Sequence, residues 1–415
     1  MDSAKVTGGS LLKHVKARVL NTVDSSLTML KKKGNLSYVN EMYNPNDFFE
    51  EVHHVSLYPE DSIIKLENKT IKVHVLKRIM NKPLWYPANV PFFLLQFIKI
   101  AKRNRVLVIR GRSTGLSGFL GLMTGKILRI PFVVSLGQNT KLLRELKIRF
   151  KKESFSLLEI LKDVFVELVE NFVVRNADFI FTPSRHLKDY ASSLRADRGK
   201  ISVVPWMLKR DIFEGKVDRN ESNKIVARFN LDLKKPIILF VGRLEVEKQV
   251  DVLVEAVPFV LQKKPDTQFV FVGDGILRER LEERVRDLNV AEKVYFVGFQ
   301  PTNVVKAFLS MASVVWIPMS GYVVFEAAAF RAPIVAFDVE WHHEFISKEV
   351  SGLLVENRNH RKMAEAVIKI LDNPVLARKC GEGARRKLVE EYNPEAIKRE
   401  EIEIYENILD KFSMR

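Results

Sequence analysis

Ile237-Ile238-Leu239-Phe240-Val241-Gly242-Arg243-Leu244 begins with five apolar residues, then turns on a glycine and presents a cation. Apolar residues in unbroken succession mark a strand covered on both faces, as in a parallel sheet. Gly242 permits a tight turn. Arg243 and, a few residues on, Lys248 follow the carboxyl end of this strand, the edge at which open α/β sheets bind ligands. Runs of the same kind lie at 269–272, 294–297, 314–317, 334–337 and 353–355, and earlier at 106–110, 132–136, 179–182 and 201–204. Between them, stretches such as 250–261 and 364–371 place apolar residues at helical spacing. Strand–helix repetition of this kind predicts a doubly wound α/β architecture.

The charge-rich stretch 207–235 separates two such blocks. The expected organisation is a first domain over 1–206, a linker region over 207–235, a second domain over 236–393, and a helix over 394–415. That helix opens on Pro394, a favourable first helical residue, and is expected to pack outside the second block or cross back to the first. The opening is less regular: Gly8-Gly9 precede the first plausible strand, 17–20, instead of following it.

The 415 residues, 47% hydrophobic and 28% charged, exclude wholesale disorder and a small disulfide-stapled scaffold. One cysteine, Cys380, excludes a disulfide framework and a cysteine zinc site. Residues 1–20 carry charges throughout, so no signal peptide is expected. The most apolar stretch, 115–136, is interrupted by Lys126, Arg129 and Pro131, so no spanning helix is expected. A cytoplasmic protein, peripheral on the inner membrane face at most, is the expectation. With 67 Lys and Arg against 51 Asp and Glu, the net charge is +16, which favours anionic partners.

Two motifs carry chemistry. Arg243 offers a planar fork of donors and Lys248 a point charge, a suitable pair for a diphosphate. The second motif is Ser320-Gly321-Tyr322-Val323-Val324-Phe325-Glu326 with Ala327-Ala328-Ala329 behind it. Gly321 lets a backbone approach a ligand closely. A helix starting near Tyr322, over Val323 and Val324, aims free N–H groups at an anion. Glu326 lies one turn inside an apolar run, where a carboxylate needs a partner; the two hydroxyls of a ribose would serve. Together these pieces describe a nucleotide-diphosphate site, while each alone also fits a solvated surface.

On these residues the second half resembles the C-terminal domain of a family 4 (group 1) glycosyltransferase of the GT-B fold. The matching pieces are Val241-Gly242-Arg243-Leu244 with Lys248, Val272-Gly273-Asp274-Gly275, Val297-Gly298-Phe299, Gly321 to Glu326, and Ser351-Gly352-Leu353-Leu354-Val355. The likeness extends more thinly to the first half through 130–134, 177–184 and 201–205. It implies two Rossmann-like domains facing across a cleft, the second holding a UDP- or GDP-linked sugar and the first a glycan or lipid-linked acceptor. It implies retention of configuration and no metal or other cofactor, with Arg243 and Lys248 neutralising the leaving diphosphate. Glu326 would bind the ribose, and the backbone at Gly298 and Phe299 would face the base.

Three departures stand out. The family's Glu-x7-Glu has Pro318 at its first position; the first domain has Gly137, followed by Gln138 and Asn139, where many members have a histidine; and Gln249 replaces the glycine after the lysine. Gln138, Asn139, Glu340, His342, His343 and Glu344 are therefore candidate sugar or acceptor contacts. The adjacent pair His342-His343 diverges on any regular backbone, and no His-x3-His spacing occurs, so no metal site is expected. The basic, leucine-bearing stretch 141–159 is a candidate for peripheral membrane contact. A non-catalytic GT-B protein that binds a nucleotide sugar or a partner is the alternative. Specific nucleic-acid binding is not expected, because no recognition motif accompanies the charge.

Overall fold

A computed structural model describes residues 17–24, 27, 36–57, 70–78, 86–150, 157–319 and 321–413. They form two parallel sheets flanked by helices, a GT-B architecture. The first sheet contains β1 (Arg18–Val23), β2 (Glu51–Ser56), β3 (Ile71–His74), β4 (Val108–Gly111), β5 (Phe132–Ser135), β6 (Phe179–Thr182) and β7 (Ile201–Val203), in the order β3-β2-β1-β4-β5-β6-β7. The second contains β8 (Ile237–Val241), β9 (Gln268–Val272), β10 (Val294–Gly298), β11 (Val314–Ile317), β12 (Ile334–Phe337) and β13 (Leu353–Val355), in the order β10-β9-β8-β11-β12-β13. In each sheet the order reverses once, beside β1 and beside β8, which creates the crevice where such sheets take ligands.

Alternate residues of β8 feed opposite faces of the second sheet. Ile238 and Phe240 join one apolar cluster, and Ile237 and Leu239 the other. This two-sided burial is why the strand reads as a continuous apolar run.

Two observations differ from the sequence expectation. The stretch 207–235, expected as a linker region, carries the helices Arg210–Phe213 and Arg219–Phe229. Leu208, Ile212, Ile225 and Leu231 are buried in a core cluster of the second domain, Ile212 and Ile225 from the two helices and Leu208 and Leu231 from the segments beside them. β2 and β3, absent from the sequence reading, extend the first sheet beyond β1.

The helix Pro394–Ser413 returns to the first domain. Its Tyr405 and Ile408 are buried with Val19, Val108 and Phe181. Among the described residues, no helix is long and apolar enough to cross a membrane.

Candidate active site in the interdomain cleft

The cleft lies between the carboxyl edges of the two sheets. One cavity of about 370 Å³ is lined by Gly137 and Gln138 from the first domain and by Arg243, Lys248, Gly321 and Glu340 from the second, among others. A second cavity, of about 220 Å³, lies against Gly242, Lys248, Pro318, Gly321, Val323 and Glu326. A third, of about 410 Å³, joins Phe299, Tyr322 and Glu326 to Lys209 and Met207. Tyr322 borders all three. Its ring stacks on Trp206, with centroids 5.2 Å apart, and so bridges the domains.

Backbone contacts hold the cation-bearing loop in place. Gly242 N–H donates to Val272 O, Leu244 N–H to Asp274 O, and Gly273 N–H to Gly298 O. A Cβ on Gly273, at φ +138°, would fall 1.8 Å from the Gly242 carbonyl oxygen, and one on Gly275 would fall 2.4 Å from that of Leu244. Only glycine fits such an approach.

The two cations differ in setting. The Arg243 side chain is well exposed and pairs with Glu247 at 2.9 Å. Lys248 closes a short 3-10 turn, Val246–Lys248, that turns it inward. Burial pushes its ammonium below the ordinary lysine range, and the Glu340 carboxylate opposes that shift. A Cβ on Gly321 would sit 3.7 Å from Lys248 Nζ, so the glycine loop and the lysine adjoin. Gln249, at the family's glycine position, adopts a left-handed φ of 51°, the conformation for which glycine is the usual residue. Its amide donates to Met319 Sδ at 3.0 Å.

Glu326 lies one turn into the Val323–Ala329 helix, half-buried among Phe325, Ala327 and Ala328 and open to two of the cavities. Loss of water raises its carboxyl to about 7, with Lys209 pulling the other way. A carboxylate in this state gains from two hydroxyl donors.

Four expected contacts are placed elsewhere. Asn139 caps the Thr140–Phe150 helix: its Oδ1 accepts from the Leu142 N–H at 3.0 Å. His342 is fully buried and bonded to Phe337 O through Nδ1 at 2.7 Å; burial holds it near 4, hence neutral. His343 faces solvent beside Asp338 at 3.6 Å. Glu344 accepts from the backbone N–H groups of Arg185 and His186 at 2.8 and 2.7 Å, capping the Arg185–Ser193 helix of the first domain. It therefore joins the two domains and does not face the cavities. Val324 packs into the core beneath the helix, and Gly298 shapes the end of β10 at φ +71° without lining these cavities.

Glu340, by contrast, reaches the cavity with Lys248 and holds a left-handed φ of 49°. Such strain in a non-glycine residue gathers at functional sites. Trp206 and Lys209 were not singled out in the sequence. The available signal was Pro205-Trp206 directly after the run 201–204. Among the described residues no cluster of three metal-ligating side chains occurs.

Residues 221–387 match the family of group 1 glycosyl transferases. The chain is 27% identical over 278 residues to alpha-D-kanosaminyltransferase of Streptomyces kanamyceticus, covering 65% of this chain and 69% of that one. It is 28% identical over 164 residues to poly(ribitol-phosphate) alpha-N-acetylglucosaminyltransferase of Staphylococcus aureus, where the match spans 39% of this chain and only 33% of the relative. Its fold is that of Anabaena Alr3699/HepE, solved in complex with UDP-glucose, at a TM-score of 0.71 and 16% identity over 96% of this chain and 100% of that one. Over residues 221–387, most of its second domain, the chain is thus similar to the group 1 glycosyl transferases.

Proposed function

We propose that the chain transfers a sugar from a nucleotide diphosphate sugar to a glycan or lipid-linked acceptor. The observation that carries this reading is the convergence of Lys248, Arg243, Gly321, Tyr322 and Glu326 on joined cavities at the sheet's switch point. The diphosphate lies against Lys248, with the Arg243 fork turning from Glu247 to meet it. The ribose hydroxyls donate to Glu326, and the base lies along Phe299. In the reaction the bond from the anomeric carbon to the diphosphate oxygen breaks and one to an acceptor hydroxyl oxygen forms. The hydroxyl proton passes to the departing diphosphate. Lys248 and Arg243 stabilise the growing negative charge in place of a divalent ion. Retention follows if the acceptor attacks from the face that the diphosphate leaves. Glu340 takes the place left open at Pro318, against the transferred sugar.

A thermal-shift panel of UDP-glucose, GDP-mannose and ADP-glucose tests this on wild type and Lys248→Ala. A donor at about 100 times its Kd adds about 2.7 kcal/mol to wild type. HepE's complex favours the uridine compound. Stabilisation of both proteins alike, or of neither, would refute the assignment. The non-catalytic alternative draws on Pro318 and on Gly137, whose missing side chain leaves open space toward the cleft. It predicts stabilisation by a donor without its hydrolysis.

The acceptor side fits a membrane surface. In the helix Leu157–Asn176, the residues Leu161, Phe165, Leu168 and Phe172 are between 45% and 62% exposed. At about 100° per residue they form one outward stripe. Lys162 and Arg175 are exposed, while Glu170 is buried and Glu167 pairs with Arg144 at 2.9 Å. The basic helix Thr140–Phe150 lies alongside; residues 151–156 of the patch expected at 141–159 lie outside the described residues. Each apolar side chain moved from water into lipid contributes about 1.5–3 kcal/mol. Flotation with anionic vesicles is expected to carry wild type. Leu161→Glu with Phe165→Glu should lower partitioning by more than about tenfold. Wild type left behind at every lipid composition would refute the contact.

A further inference from the structure

Beneath the returning C-terminal helix, the first sheet carries a buried polar seam. His54, Asn21 and Arg110 are register partners across β2, β1 and β4, so their side chains share one face. All three are buried, Arg110 to 3% exposure. The surrounding face is apolar, with Val19, Val108, Val133 and Phe181 against Tyr405 of the C-terminal helix.

Arg110 is poorly satisfied where it lies. Its guanidinium is 4.1 Å from the Phe181 ring centre, and Nη2 is 3.6 Å from Glu401 Oε1. Nε and Nη1 of Arg110, both polar side-chain atoms of Asn21, and Glu401 Oε1 lack hydrogen-bond partners. A structural arginine–carboxylate pair closes with parallel N–H···O bonds; this one is open by comparison.

Arg110 also borders a cavity of about 100 Å³ at the carboxyl edge of the first sheet, together with Arg112, Ser135, Thr182 and Glu401. Arg112 gives one N–H to Met42 O and lies 5.0 Å over the Tyr43 ring. The cavity shares Gly137, Trp206 and Tyr322 with the one holding Lys248 and Arg243. It is thus a second cationic pocket, on the acceptor side of the Trp206–Tyr322 stack.

We propose that Arg110 and Arg112 form a subsite for a phosphate group carried by the acceptor. Two guanidiniums offer convergent forks to a tetrahedral dianion, and Glu401 serves as the counter-charge that the phosphate displaces. An acceptor anchored here extends past Gly137, where no side chain intervenes, toward the donor cavity. The word acceptor rests on the transferase reading; the anion pocket does not.

The test uses the full chain with saturating UDP, so that phosphate cannot enter the donor cavity. Titrants are glucose 6-phosphate, polyprenyl phosphate in detergent micelles, and glucose as the neutral control. Phosphate in a soluble sugar and in a lipid linkage share this chemistry, and the first two titrants tell them apart. Binding of at least one, but not of glucose, is expected. Arg112→Gln and Arg110→Gln should each weaken it by at least about tenfold. Glu401→Gln should tighten it severalfold by removing the competing carboxylate. Because Arg110 is buried, the Glu401 and Arg112 variants keep the test decisive if Arg110→Gln fails to fold. No binding by either phosphate, or binding unaltered by Glu401→Gln and Arg112→Gln, overturns the subsite. Failure of UDP to stabilise the chain would instead count against the transferase reading.

Discussion

Lys248→Ala is expected to lower donor hydrolysis by about 10²–10³-fold, the range found when one transition-state donor is removed from a preorganised site. The effect is large because Lys248 is mostly withdrawn from water and its charge acts in a low dielectric. Burial lowers its ammonium and the Glu340 carboxylate opposes that shift, and the side chain already borders both cavities before a diphosphate arrives. Arg243→Ala should cost less, about tenfold, because that guanidinium is exposed and already paired with Glu247. The measurement is release of UDP from UDP-glucose under single-turnover conditions, where binding and chemistry separate. Equal rates for Lys248→Ala and wild type would remove Lys248 from the mechanism.

Glu326→Gln should move stability and ligand affinity in opposite directions. The folded carboxyl titrates at about 7, against 4.5 without its surroundings. The folded chain therefore binds the extra proton between these values, and stability falls as pH rises through them. The penalty opens above about 4.5 and is complete above 7, where it amounts to about 3 kcal/mol. Glutamine carries no such penalty. The variant should melt at the same temperature as wild type near pH 4.5 and higher at pH 8. It should bind UDP about 10- to 100-fold more weakly at pH 8, the loss expected when a charge-assisted pair of ribose bonds is removed. Wild-type affinity for UDP-glucose, whose diphosphate takes up no proton in this range, should itself decline below pH 7 as Glu326 takes up its proton, whereas the variant's should stay flat. Melting and titration at three pH values check both. A variant less stable at pH 8 would show that Glu326 has a supporting partner in the apo chain.

The strands that were legible in the sequence are those buried on both faces. The run 237–241 coincides with β8, and 334–337 with β12. β2 reads Glu-Val-His-His-Val-Ser, and nothing in that pattern discloses that both histidines are buried. Their burial depends on neighbours distant in sequence: Asn21 beside His54, and His74 beside His53. The stretch 207–235 is opaque for a related reason: its apolar residues are few, and Leu208, Ile212, Ile225 and Leu231 are buried while Leu233 stays 52% exposed.

The cavity residues that were legible follow directly from strand ends, as Arg243, Gly321 and Glu326 do. Glu344 was misread because its partners are 158 and 159 residues away. His342 was misread because composition cannot distinguish a histidine that faces a ligand from one bonded to a backbone carbonyl. Arg110 was passed over because an arginine at the end of a strand resembles a surface cation. Its burial comes from a helix near the other end of the chain.

The meshed glycine loops at 242, 273 and 275 bear on how such a protein diversifies. Their backbones touch so closely that a side chain at 273 or 275 would displace the loop that carries Arg243. Lineages drifting toward a new donor therefore have little room to experiment with this framework. Variation is channelled into what projects from it: the Phe299 ring, the Tyr322–Trp206 stack and the acid that occupies position 340. A change of donor would have to be met by those projecting side chains, with the loops beneath them left as they are.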